Sequence, residues 1–138
     1  MDPVRFFSVV SLVALPTVMF GGYSLLRLLT AGGRLSPFQE QFFRAGHAHA
    51  GVLLILSLVY YLYLGRTALP DGARWLAGGA LMVGILAQSG GFFLHMLLGA
   101  PGRASAGTTL TAVGALVLAA TVLLLAYAVA TAPASPAS

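Results

Sequence analysis

The chain has no cysteine, no lysine and only three acidic residues, Asp2, Glu40 and Asp71, in 138 positions. Without thiols, disulfides, thiolate metal sites and cysteine nucleophiles are all excluded, so any soft ligand chemistry falls to histidine or methionine. Charged residues make up 7% of the chain, too few to hydrate the surface of a soluble domain of this size. The positive charge is carried by arginine alone, seven residues spread over loops and helix ends. These read as headgroup anchors, not as a basic stripe for nucleic acid. With no glycine-rich phosphate loop and no nucleophile–base set, no residue is assigned a catalytic role.

What the chain does have is apolar length. Hydrophobic residues are 59% of the total. A membrane crossing takes about 20 apolar residues, and four such runs with short connections consume nearly everything from Phe6 to Ala130. The expected fold is all-α, an integral membrane four-helix bundle in up-down-up-down order, forming one domain over 1–130. The helices are expected near 6–29, 37–64, 75–98 and 108–130, with 131–138 a disordered tail. The first run, Phe6 to Leu29, is too long for the apolar region of a secretion signal and lacks a small-residue cleavage site, so it reads as a helix that stays. Pro16 predicts a kink in it. Ser36-Pro37 predicts the second start, and Gly99-Ala100-Pro101-Gly102 the third stop. Gly65 to Arg74 reads as a turn, with Trp75 opening the third helix, and Tyr60, Tyr61 and Tyr63 suit an interfacial aromatic belt. Even-numbered spans place both termini on one side. Arg5, Arg66 and Arg74 lie there, against Arg27, Arg34, Arg44 and Arg103 opposite, and this slight excess puts the termini outside the cytoplasm.

The three histidines carry the functional signal. If Asp71 is the midpoint of the second turn, His47 lies 24 residues before it, His49 lies 22 before it and His95 lies 24 after it. At about 1.5 Å per residue they share one membrane depth, a turn or two inside the interface opposite the tyrosines. Ionisable side chains within a span are a functional hypothesis by default; interfacial histidines bonding to headgroups or carbonyls are the plainer reading. Residues two apart on a helix point about 200° away from each other, so His47 and His49 cannot close on one small ion without local unwinding, and zinc would prefer i, i+4.

The side of helix two that bears His47 also carries Arg44, Ala50 and Gly51, with Gly46 and Ser57 at its flank. The side of His49 carries Leu53, Leu56 and Tyr60. On the third helix Gly84, Gln88, Gly91 and His95 form one small and polar stripe, which alone would signify tight helix packing. With histidine on two neighbouring helices, it also suits a porphyrin, which needs small residues along its faces, imidazole on its iron and cations at its propionates. The expectation is a heme b site with His47 and His95 as axial ligands and Arg44 and Arg103 at the propionates. Gly51 and Gly91 would line the plate, with Gln88 in support. His49 is left for another helix, a second cofactor or a second copy of the chain in a homodimer, or is itself the ligand with His47 supporting. Hydroxyls of Ser57 and Thr111 could assist, although each alone more simply bonds back to its own helix.

The segment F-F-R-A-G-H-A-H-A-G-V-L, Phe42 to Leu53, resembles one in small prokaryotic four-helix membrane proteins that carry H-x-H in the second span. It is also distantly similar to the H-x-H helix of the heme-copper oxidase and nitric oxide reductase superfamily. That resemblance implies that His47 and His49 are both iron ligands on opposite faces, and it implies a prokaryotic cytoplasmic membrane. The chain departs from the large enzymes in having few spans, no H-H pair and no second cluster for copper, so oxygen reduction at a binuclear centre is not implied. Three functions follow as expectations. The first is a b-type heme protein for electron transfer or diatomic gas binding, with a redox partner. The second is a copper or zinc site of a transport or delivery protein. The third is a cofactor-free structural or assembly subunit.

Overall fold

The computed structural model describes residues 1–32 and 35–132, and these form four helices with no strand among them. They are α1 (Pro3–Thr30), α2 (Pro37–Leu64), α3 (Asp71–Leu98) and α4 (Ala106–Ala130). All four are long and apolar enough to cross a bilayer, so the chain is a multi-pass membrane protein whose outer surface meets lipid. Gly33 and Arg34, and the expected tail from 133 onward, lie outside the described residues.

Three helices begin earlier than the apolar runs suggest, α1 and α4 because a polar side chain caps them and α3 because its first turn is polar. Asp2 accepts the Arg5 N–H at 2.8 Å and starts α1 ahead of Phe6. Pro70 stands at the N-cap of α3, so the helix starts at Asp71, a full turn before Trp75. Arg74 folds back to donate to the Thr67 carbonyl at 2.7 Å, which ties the preceding turn to it. Ser105 caps α4 before the expected Thr108. The start of α2 falls at Pro37 as the Ser36-Pro37 signal predicts, with a capping box between Ser36 and Gln39. α1 continues as helix through Pro16. Gly102 sits at φ 72°, a left-handed conformation that glycine adopts without strain, and the turn closes with Arg103 N–H donating to the Ala100 carbonyl at 3.1 Å.

Sequential helices pack antiparallel, but the bundle is not closed. α2 packs on α3 and α3 on α4, α1 lies against α2 and to a lesser extent α3, and α1 does not reach α4. The cross-section is therefore a rhombus with α2 and α3 on the short diagonal. The apolar core lies toward the termini and contains Phe7, Tyr60, Tyr61, Leu64, Ala77, Leu81, Ile85, Leu118 and Leu125.

The tyrosines correct an expectation. Tyr60 and Tyr61 are buried, 3% and 0% exposed, instead of standing in an interfacial belt. Each hydroxyl finds a carbonyl on another helix: Tyr60 donates to Thr121 at 3.4 Å and Tyr61 to Gly78 at 3.3 Å. A phenol can enter an apolar core when its O–H has such a partner. Tyr63 and Trp75 do remain exposed, and the guanidinium of Arg66 lies 5.6 Å from the Tyr63 ring.

Candidate functional site in the histidine layer

The α2–α3 register fixes the depth of each imidazole. Gly46 lies against Phe92 and Phe93, and Tyr61 reaches Gly78, so the two helices pair about a midpoint at Leu69–Pro70. Asp71 is already helix, so the true midpoint precedes it. His95 is consequently level with Arg44, about 4.5 Å nearer the interface than His47. The three histidines occupy one end of the bundle but not one plane.

Nor do they face one space. His47 points to α1, where its ring lies over Gly21 and Gly22; a Cβ built on Gly22 would stand 3.0 Å from Nε2. The glycine pair makes a flat seat for the imidazole, and Phe43 stacks beside it at 6.4 Å. No hydrogen bond to His47 occurs among the described residues. His49 points the other way, as the two-residue spacing requires, and its ring lies 4.6 Å from that of Phe92. Its Nδ1 is 2.8 Å from the Ala45 carbonyl. A carbonyl can only accept, so Nδ1 carries the proton and Nε2 of the neutral ring keeps its lone pair. His95 is 5% exposed, walled by Phe42 at 4.4 Å and Phe38 at 5.4 Å, with Nδ1 2.7 Å from Ser105 Oγ. Five phenylalanines, Phe38, Phe42, Phe43, Phe92 and Phe93, thus separate the imidazoles into individual sockets. No three His, Cys, Asp or Glu side chains gather around a point among the described residues.

The remaining expected site residues divide in the same way. Arg44 is exposed and paired with Glu40 one turn earlier. Arg103 is exposed in the α3–α4 turn. Gly51 faces α1, its ideal Cβ 3.6 Å from Val18. Gly91 and Gln88 belong to the contact with α4. Gly84 pairs with Leu118, Gln88 with Gly114, Gly91 with Thr111 and His95 with Gly107, each pair equidistant from Pro101. A Cβ at Gly91 would lie 2.6 Å from the Thr111 nitrogen and 2.7 Å from the Gly107 oxygen. Helix α4 already fills the space that a porphyrin face would need there. The stripe does face the interior, and the simpler meaning of its small residues, close helix packing, is the one observed.

A plate bridging His47 and His95 does not fit this arrangement. The two rings lie against different helices, His47 on α1 and His95 beside α4, and the His95 Nδ1 is already paired with Ser105 Oγ. Of the two hydroxyls, Ser57 bonds back to its own helix as the plainer reading expects, and Thr111 does not. Thr111 reaches across to the Gln88 carbonyl at 3.3 Å, while Ser57 bonds both its own helix, at Leu54, and Ser11 of α1.

Ser105 was not legible as a site residue, because α4 reads from Thr108 when judged by apolarity alone. The S-A-G-T order from Ser105 to Thr108 was the available signal, a serine with a hydroxyl three residues on. The paired phenylalanines at 42–43 and 92–93 were visible too, but hydropathy counts them only as span. Comparison of the chain with protein-family models, with curated proteins and with solved structures finds no match.

Proposed function

We propose that this multi-pass membrane protein binds a b-type heme through His49, as a single axial ligand from the outer face of α2. One observation carries the reading: the Nδ1–H of His49 is held by the Ala45 carbonyl, which leaves Nε2 as a free lone pair. Histidines that bind metal commonly donate their other nitrogen in this way, which fixes both tautomer and ring orientation. The ring is half-buried and shares its face of α2 with Tyr60, eleven residues on, whose hydroxyl reaches α4. His49 therefore looks onto the side where α2 and α4 touch only slightly. Arg103, exposed in the α3–α4 turn, would supply the cation for a propionate, and Arg44 could do so only by releasing Glu40. When bound, heme supplies an iron for electron transfer or for a diatomic ligand; the protein supplies one imidazole and an apolar setting. A redox partner, a second copy of the chain and a prokaryotic cytoplasmic membrane belong to this proposal. A three-imidazole copper or zinc site would require both His47 and His95 to leave their sockets.

The reduced-minus-oxidised visible spectrum of the purified protein after hemin supplementation tests the reading. A Soret band that is lost in His49→Ala and retained in His95→Ala is expected. Its absence, or its survival in His49→Ala, would overturn the assignment. A second reading, a cofactor-free structural or assembly subunit, is favoured by the bond between His95 and Ser105, in which a histidine fastens one helix to the next. That protein would be colourless and free of stoichiometric metal.

A further inference from the structure

The start of α4 and the imidazole of His95 share a single hydroxyl. Ser105 Oγ accepts the Gly107 N–H at 3.1 Å and closes a capping box with Thr108, whose backbone N–H it also accepts. Thr108 returns the bond from its side chain, accepting the Ser105 N–H at 3.0 Å. A serine oxygen has two lone pairs and one proton. The cap N–H groups of Gly107 and Thr108 converge on this oxygen, the latter also bonding the Ser105 carbonyl at 3.0 Å, so the oxygen faces donors on the cap side and its proton is directed to the 2.7 Å contact with His95 Nδ1.

We infer that Ser105 donates to His95 Nδ1, which holds His95 as the Nε2–H tautomer and makes it a positioning residue for the first turn of α4. The two imidazoles with hydrogen-bond partners are then in opposite tautomers. His49 has its proton on Nδ1 and a free Nε2, whereas His95 has its proton on Nε2 and a filled Nδ1 lone pair. The surroundings support a fixed ring. Gly107 packs on the His95 backbone, and a Cβ at Gly99 would stand 2.5 Å from the ring's Cε1 and Nδ1, so neither neighbour leaves room for rotation. The device is a latch. A metal that takes the Nε2 lone pair displaces the proton to Nδ1, where it opposes the Ser105 proton, and the cap must open. Metal ligation by His95 Nε2 and an intact first turn of α4 exclude each other. This inference does not depend on the heme proposal, since His49 and His95 lie in separate sockets.

The test uses the full chain in lipid nanodiscs at a pH where imidazole is neutral. Nitrogen-15 NMR of labelled histidine, assigned by the signal that disappears in His95→Asn, is expected to show a protonated Nε2 and a bare Nδ1 at residue 95. A proton on Nδ1 of His95 would overturn the inference without recourse to any variant. Amide exchange at Gly107 gives the second readout. His95→Asn places a carbonyl acceptor near the Nδ1 position and should exchange within about twofold of the parent, whereas His95→Leu, lacking an acceptor, should exchange about fivefold faster. Equal exchange in the two variants would refute the latch. Should His95→Leu fail to fold, the tautomer measured on the parent chain still decides.

Discussion

Helices α3 and α4 are joined by backbone approach, whereas α1 is joined to the rest by side chains. Along the α3–α4 seam Gly84, Gly91, Gly107 and Gly114 each meet backbone or a branched side chain at distances that admit no Cβ. α1 has most of its surface open to lipid and is held by local side-chain contacts, among them Phe7 against Gly78, Tyr61 and Trp75, Ser11 on Ser57, Val18 beside Gly51, and the glycine pair under His47. Lipid is as apolar as leucine, so burial alone drives neither contact within a bilayer; close packing and polar bonds do. The seam uses the first of these along its whole length, and α1 depends on a few local contacts of both kinds. The seam should therefore be the stable half and α1 the half that separates first.

The largest effect is expected from breaking the seam. Gly91→Leu puts a branched side chain where Thr111 and Gly107 already stand, and both opposing groups include backbone that cannot rotate away. Overpacking of this kind costs about 3 kcal/mol or more. Titration with a denaturing detergent, followed by circular dichroism, should show early loss of the α3–α4 pair. A variant as stable as the parent would mean that the helices are not in this register.

How much of this arrangement could be read from the chain follows the same division. The number of spans, their order and the antiparallel packing come from hydropathy and short loops, because a bilayer demands about 20 apolar residues per crossing whatever lies beside them. That His47 and His49 face opposite ways follows from helical geometry alone. Which neighbour each face meets does not. Tyr60 and Tyr61 look interfacial by type, and only the carbonyls of Thr121 and Gly78 on other helices make their burial possible. The stripe through Gly84 and His95 was legible as an inward face, but not as one already occupied by α4. The shared depth of the histidines was legible only approximately, since a midpoint misplaced from Leu69–Pro70 to Asp71 shifts the partner helix by about a turn. The tautomers of His49 and His95 depend on an oxygen four residues back and one ten residues on, the latter in a helix start hidden by its polarity.

A smaller effect sharpens the other side of the comparison. Ser57 donates to the Leu54 carbonyl at 2.7 Å, so in the 2.7 Å bond with Ser11 it is Ser11 that gives the proton. Both side chains are fully buried. A double-mutant cycle on Ser11→Ala and Ser57→Ala should return a coupling of about 0.6 kcal/mol, the usual size of such a bond between membrane helices. Because α1 is mostly open to lipid, either single variant should also raise protease access to the N-terminal segment. Zero coupling would show that α1 is held by packing alone and would weaken the contrast with the seam.

The sharpest control concerns the residue next to the one whose change should be worst. Gly90 and Gly91 differ by about 100° around α3. Nothing lies within 4 Å of a Cβ built at Gly90, whereas Gly91 is blocked by two groups of α4. Gly90→Ala therefore adds a methyl group to open space and removes a glycine from a helix interior, a change that stabilises by up to about 1 kcal/mol. The same substitution at Gly91 must push the seam apart. Detergent midpoints moving in opposite directions for these adjacent glycines would tie the stability of this half to one face of α3. Equal shifts would assign the cost to helix propensity, and the seam would lose its claim to be the stronger joint.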